Sequence, residues 1–133
     1  MLKVIILDSH VWFWWINLEH KRLSRSMLQA IESADKIGVS PVSCFELALA
    51  HQKEKLQLPI AIDEWFELAL EGSGIKLVLF DSKIALHTVK LTDIHRDPFD
   101  RIIIATTLEL NAKLASMDGR FKEYPELTNV LLV

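Results

Sequence analysis

The sequence predicts one α/β domain built on a mainly parallel sheet. Three observations carry that expectation. Short β-branched runs such as Val4-Ile5-Ile6-Leu7 alternate with helical segments, no repeat or flexible linker divides the 133 residues, and only four glycines and four prolines punctuate them. Half of the residues are hydrophobic, enough for a sizeable core and incompatible with a disordered chain.

Leu2 to Leu7 reads as a strand buried on both faces, stopped at Asp8-Ser9. From His10 to Asn17, the run Val11-Trp12-Phe13-Trp14-Trp15-Ile16 is too crowded with apolar groups for a surface helix and belongs in the core or in an interface. Ser24 to Ala34 predicts a helix with Leu28 and Ile31 on one face, and Ile37 to Val39 a short strand. Ser40-Pro41 then supplies an N-cap and a first-turn proline for a helix reaching about Lys55. Pro59 separates it from a helix expected to be capped by Asp63 and stopped by Gly72 and Gly74. Ile75 to Phe80 predicts a strand. Asp81-Ser82 and Asp97-Pro98 each open a helix, the second running to Asn111, and Lys113 to Ser116 and Val130 to Val133 complete the strands.

Fifteen Lys and Arg stand against 18 Asp and Glu, a net charge of -3, which is not the basic balance common among binders of phosphate backbones. Cys44 is the single cysteine and has no internal disulfide partner. The apolar run near the N-terminus is too short for a signal-peptide core, so a cytoplasmic location is expected. Val11 to Ile16, the longest apolar stretch, is a fraction of the ~20 residues that a membrane span needs.

In parallel α/β sheets the functional crevice lies beyond the carboxyl ends of the strands. Asp8 and Asp118 follow two predicted strands, Glu46 lies in the second turn of the helix that follows a third, and Asp100 lies in the first turn of the helix opened by Asp97-Pro98. Taken singly, each has a structural explanation. Asp8 and Asp118 suit turns, Asp97 suits an N-cap, Asp100 suits the helix dipole and Glu46 an exposed helix face. Taken together they converge on one end of one sheet. Two carboxylates about 4 Å apart repel by roughly 4 kcal/mol at an effective dielectric near 20, so such a group must take up protons or a cation. With oxygen donors and no Cys/His cluster, the cation is hard, Mg²⁺ or Mn²⁺, and suited to activating water for attack on phosphorus.

Four blocks carry a resemblance: Ile6-Leu7-Asp8-Ser9-His10 with the aromatics after it, Ser40-Pro41-Val42-Ser43-Cys44-Phe45-Glu46-Leu47, His95-Arg96-Asp97-Pro98-Phe99-Asp100-Arg101-Ile102-Ile103-Ile104-Ala105-Thr106, and Ala115-Ser116-Met117-Asp118-Gly119-Arg120-Phe121. Together, in this order and over almost the whole chain, they resemble PIN-domain proteins of the VapC toxin type. The resemblance implies a PIN-like three-layer α/β/α domain over residues 1–133 and a Mg²⁺- or Mn²⁺-dependent endoribonuclease. It also implies a toxin–antitoxin setting with a cognate antitoxin protein as partner. It maps the family's acidic quartet onto Asp8, Glu46, Asp100 and Asp118, as catalytic residues and metal ligands. Ser9 and Thr106 fall at accessory positions, and Met117 stands where the family often has a polar or charged residue.

Arg96, Arg101 and Arg120 flank the acids, and Lys21, Arg22 and Arg25 cluster after the first helix. They suit RNA phosphates or ion pairs on a solvated face. A catalytic role for His10 or His95 is not required where a metal lowers the pKa of water, and the aromatic excess favours core packing, a homodimer or an antitoxin interface over base stacking. Two other functions fit the acids less well. A receiver-like Mg²⁺-binding signalling module would need a further acid at the end of the middle strand, where Asp81 reads as a helix cap, and a silent PIN-like binding scaffold would not need all four acids. If those four form one cluster, 14 acids remain against 15 bases, so the net charge does not exclude an RNA substrate.

Overall fold

The computed structural model describes residues 2–133. Its centre is a five-stranded, wholly parallel sheet: β1 Val4–Leu7, β2 Lys36–Val39, β3 Lys76–Leu77, β4 Lys113–Ala115 and β5 Leu131–Leu132, in the order β3-β2-β1-β4-β5. The helices are α1 Ser9–Ile16, α2 Arg25–Glu32, α3 Pro41–Gln52, α4 Ile62–Ala69, α5 Ser82–Lys90 and α6 Pro98–Glu109. Short 3₁₀ turns cover His20–Arg22, Gly119–Glu123 and Pro125–Leu127.

The pleat of β1 divides the core. Ile5 and Leu7 face a cluster with Val11, Trp12, Met27, Ile31, Leu47 and Trp65, whereas Ile6 faces Ile84, Ile103, Ile104, Phe121 and Tyr124 on the other side. Both faces are therefore covered and the chain forms three layers, which is why β1 reads as an unbroken apolar run. Trp12 and Phe13 are buried, and the Trp12 indole N–H donates to the Ala69 carbonyl at 3.1 Å. Trp14 and Trp15 stay partly open, so the aromatic run divides between core and surface.

Two local expectations are corrected. The N-cap of α4 is Ala61, without a side-chain hydrogen bond, and Asp63 lies inside the first turn, where its charge complements the helix dipole. The run Ile75 to Phe80 forms a strand only at Lys76 and Leu77, with the Val78 N–H still donating to the Val39 carbonyl at 2.9 Å, and at this sheet edge Leu79 and Phe80 are exposed. Among the described residues, no helix is long and apolar enough to cross a membrane.

Connections from the central pair leave in opposite directions: β1 leads to β2 on one side, whereas β4 leads to β5 on the other. A crevice opens at that point beyond the carboxyl ends of the strands. The Asp8 N–H donates to the Ala115 carbonyl at 3.1 Å, which fixes the end of β1 against the end of β4 and brings the following residues of both to the crevice.

Candidate active site

Each acid reaches the crevice by a different local device. Asp8 is the N-cap of α1, its Oδ1 accepting from the Val11 N–H at 2.8 Å. Asp118 caps the 3₁₀ turn after β4, its Oδ1 accepting from the Arg120 N–H at 3.0 Å. Asp97 is the N-cap of α6 and accepts from the Phe99 N–H at 2.9 Å. Asp100 lies one turn further on, buried, and Glu46 projects from α3. These five acids, with Ser9, His10, Ile103 and Arg120, line one narrow cleft with about 50 Å³ of free space.

Few donors meet these carboxylates. Ser9 Oγ donates to Glu46 Oε1 at 2.8 Å and lies 2.9 Å from Ser43 Oγ. Arg120 is the one guanidinium in the cleft: its Nη2 donates to Asp118 Oδ2 at 2.7 Å and lies 3.0 Å from Asp100 Oδ2. The second contact is a meeting of charges without hydrogen-bond alignment, and Asp100 Oδ2 has no hydrogen-bond partner although it is buried.

The electrostatics follow from this shortage. Burial pushes the Asp8 carboxyl above its ordinary range, against the Ser116 hydroxyl and the Val11 N–H, which favour its charge. Burial likewise raises Glu46, with Ser9 opposing. Burial and then the neighbouring charge of Asp97 push Asp100 up to about 7. Asp118 is lowered instead, because Arg120 binds it, and Arg120 is raised in return.

Among the described residues no three acidic, histidine or cysteine side chains close around a single point as a ready metal shell. Glu46 is turned onto Ser9, and Asp118 onto Arg120. That is compatible with Mg²⁺, which keeps several waters and binds through one or two carboxylates directly. The donor set is all oxygen, it carries an orphaned buried carboxylate oxygen, and a guanidinium already stands between two of the acids. The residues present fit a hard divalent cation.

Other candidates lie elsewhere. The Arg101 guanidinium donates to the carbonyls of Thr88 at 3.0 Å, Leu91 at 3.1 Å and Thr92 at 3.0 Å. It ties the end of α5 to α6 and is not available to a substrate. The Thr106 hydroxyl donates to the Ile102 carbonyl one helical turn back at 2.7 Å and is fully buried, which removes it from the accessory set. Arg96 is exposed but does not line the cleft. His95 Nε2 pairs with Glu123 at 2.9 Å, and Asp81 caps α5 through the Ile84 N–H, so neither enters the cleft. Sequence reasoning missed Ser43 and Ser116. Ser43 precedes Glu46 by three residues, a helical spacing that could have pointed to it.

A parallel three-layer domain with an acidic cleft at its switch point defines a class of α/β proteins whose site is a cluster of carboxylates. The PIN domain model matches residues 5–127. Ribonuclease VapC22 of Mycobacterium tuberculosis (strain ATCC 25618 / H37Rv) is 36% identical over 124 residues, covering 92% of this chain and 93% of that protein. Two solved structures share the fold at 18% identity. One is the VapBC2 complex of Rickettsia felis bound to a promoter DNA fragment, with TM-score 0.70 and 97% of each chain covered. The other is a toxin–antitoxin complex from Klebsiella pneumoniae, with TM-score 0.64, covering 97% of this chain and 96% of that one. The chain belongs to the PIN-domain family and groups within it with the VapC proteins.

Proposed function

We propose that the chain is a Mg²⁺- or Mn²⁺-dependent endoribonuclease that hydrolyses RNA phosphodiester bonds as the toxin of a toxin–antitoxin pair. The observation that carries the reading is the cleft itself: Asp8, Glu46 and Asp100 are all held above their ordinary range beside Asp118, a site short of positive charge. Its kinship to a protein named as a ribonuclease supplies the substrate class.

In this reading Asp8 and Asp100 would hold the metal and Glu46 would complete that site, while Asp118 would serve a second ion or orient water. The bound cation supplies a water of lowered pKa and neutralises charge on the phosphate oxygens. Ser9 keeps Glu46 turned into the cleft. Arg120 is exposed enough to exchange a carboxylate for a phosphate oxygen of the RNA, and its planar fork suits both.

The proposed partners are an antitoxin protein, by kinship to chains solved in such complexes, and a second copy of the chain. Exposed Leu79, Phe80, Leu86 and Val89 support self-association, which sedimentation of the purified chain measures. The function is tested by incubating RNA with the purified chain in Mg²⁺, Mn²⁺ or EDTA. Cleavage is expected only with metal and is expected to fall at least about a hundredfold in Asp8→Ala and Asp100→Ala, in the range seen when a charge-stabilising group is removed from an active site. Robust cleavage that persists in both variants would refute the assignment.

A further inference from the structure

The acidic cleft, at about 50 Å³, is on the scale of a cation with a few waters and too small for a nucleobase. Directly beside it lies a second recess of about 270 Å³, walled by His10, Trp14 and Met117 and sharing Asp8 and Asp118 with the cleft. That volume lies just below the ~300 to 1,000 Å³ of sites for drug-sized ligands, the scale of one flat heterocycle.

Core packing accounts for the whole of Trp12, whose indole is buried and hydrogen-bonded, but only for part of Trp14, which packs against the same core and leaves the rest of its ring open. The Trp14 ring is only partly buried. It is propped by the His10 ring at 5.6 Å and by the Arg22 guanidinium, which stands 5.5 Å from its centroid. Arg22 pairs with Glu19 at 3.1 Å, but both side chains are exposed, so that pair yields readily to another anion. The recess thus offers an aromatic surface and an apolar Met117 wall. It shares Asp8 and Asp118 with the cleft, so the recess lies next to the place where a phosphate would meet the acids.

We propose that this recess seats one unpaired nucleobase of the RNA, next to the phosphate presented to the acids, with Trp14 as its stacking platform. The proposal rests on the metal-dependent ribonuclease reading and adds a base-binding subsite to it. Met117 has a role there: a thioether packs against a heterocycle without requiring a hydrogen-bond partner.

The test is calorimetric titration of the full chain, loaded with Mn²⁺, with nucleoside 5′-monophosphates and with ribose 5-phosphate. Stacking on an aromatic side chain predicts that the preferred monophosphate binds about tenfold tighter than ribose 5-phosphate. In Trp14→Ala that ratio is expected to fall to within about twofold, with ribose 5-phosphate affinity unchanged, whereas Trp14→Phe keeps most of it. Thermal melting of both variants monitors the fold, and Trp14→Phe keeps the test valid if the alanine variant is unstable. A wild-type chain that does not discriminate, or a Trp14→Ala chain that discriminates as well as wild type, overturns the subsite. If metal-dependent, Asp100-dependent RNA cleavage is present in the same preparation, the subsite alone has failed. If cleavage and ribose 5-phosphate binding are both absent, the ribonuclease reading fails and the subsite with it. A Trp14→Ala chain that loses self-association or binding of a partner protein while keeping its discrimination shows a protein contact instead, and also overturns the proposal.

Discussion

Replacing Asp100 with asparagine is expected to stabilise the metal-free chain at about pH 8 and to change it little at about pH 4. Burial and then Asp97 push Asp100 from 3.8 to about 7, so the folded chain holds this proton more tightly than the unfolded chain does. A raised carboxyl pKa contributes stability that is fully present below about pH 3.8 and is lost as pH rises through about 7. Roughly three units, at about 1.4 kcal/mol each, set the cost of the ionised side chain near 4 kcal/mol. Asparagine has nearly the same shape and no charge to desolvate. The contact of Asp100 with Arg120 is already included in that cost, while an amide buried there without a partner gives back about 1 kcal/mol. The expected net gain at about pH 8 is about 3 kcal/mol, or roughly 10 °C in Tm for a domain of this size.

The assay is thermal or urea unfolding of wild type and Asp100→Asn at about pH 5 and about pH 8, in EDTA and in saturating Mg²⁺. The gap is expected to narrow by at least half at the lower pH. Mg²⁺ is expected to raise the wild-type Tm and leave the variant nearly unmoved, because a ligand stabilises only the state that binds it. An Asp100→Asn chain less stable than wild type at about pH 8 in EDTA, or a gap that does not change with pH, would refute the electrostatic account of the cleft.

Three further outcomes follow from the same geometry. Mn²⁺ affinity measured by calorimetry should rise about tenfold per pH unit below about pH 7 and level off above it, since Asp100 must lose its proton to bind; a flat profile would contradict its place in the shell. Arg120→Met should tighten Mn²⁺ binding several-fold, because the guanidinium between Asp100 and Asp118 repels an incoming cation, and should weaken RNA binding in the same preparation. Unchanged metal affinity would mean that the guanidinium and the metal do not compete. Arg101→Met should cost about 2 to 4 kcal/mol in urea unfolding by stranding the carbonyls of Thr88, Leu91 and Thr92, with Mn²⁺ affinity unaltered; a loss of metal affinity with normal stability would place Arg101 in the site after all.

How far the sequence reveals this molecule depends on what a residue has to satisfy. The strand run before Asp8, the proline-led starts of α3 and α6 and the acids beyond the strand ends are legible, because each is a local signal with a local cause. Arg101 and Thr106 are not. Both stand in the same block as Asp100, but one helical position turns a side chain by about 100°, and only packing shows that Arg101 meets the carbonyls near the end of α5 while Thr106 bonds back along its own helix. The length of β3 is hidden for a similar reason. Apolar residues from Ile75 to Phe80 suit a strand, but how many of them pair depends on how far β2 runs alongside. The division of the aromatic run, with Trp12 closed in the core and Trp14 open beside the acids, also requires the third dimension.

The structural and functional explanations of the acids are not rivals at every position. Asp8, Asp97 and Asp118 each spend one oxygen on a helix or turn N-terminus, and their presence is accounted for by that hydrogen bond alone. For Asp8 that bond does not offset burial, which still holds its carboxyl above the ordinary range, whereas Asp118 is held low by Arg120. Asp100 is different: it caps nothing, its Oδ2 is buried without a hydrogen bond, and the fold holds its charge at a disadvantage. Glu46, raised by burial and relieved only by a serine, is the second such residue. A fold optimised for stability alone would place apolar or amide side chains at these two positions, so Asp100 and Glu46 carry the weight of the cation hypothesis, and substitutions there separate it from a purely architectural account.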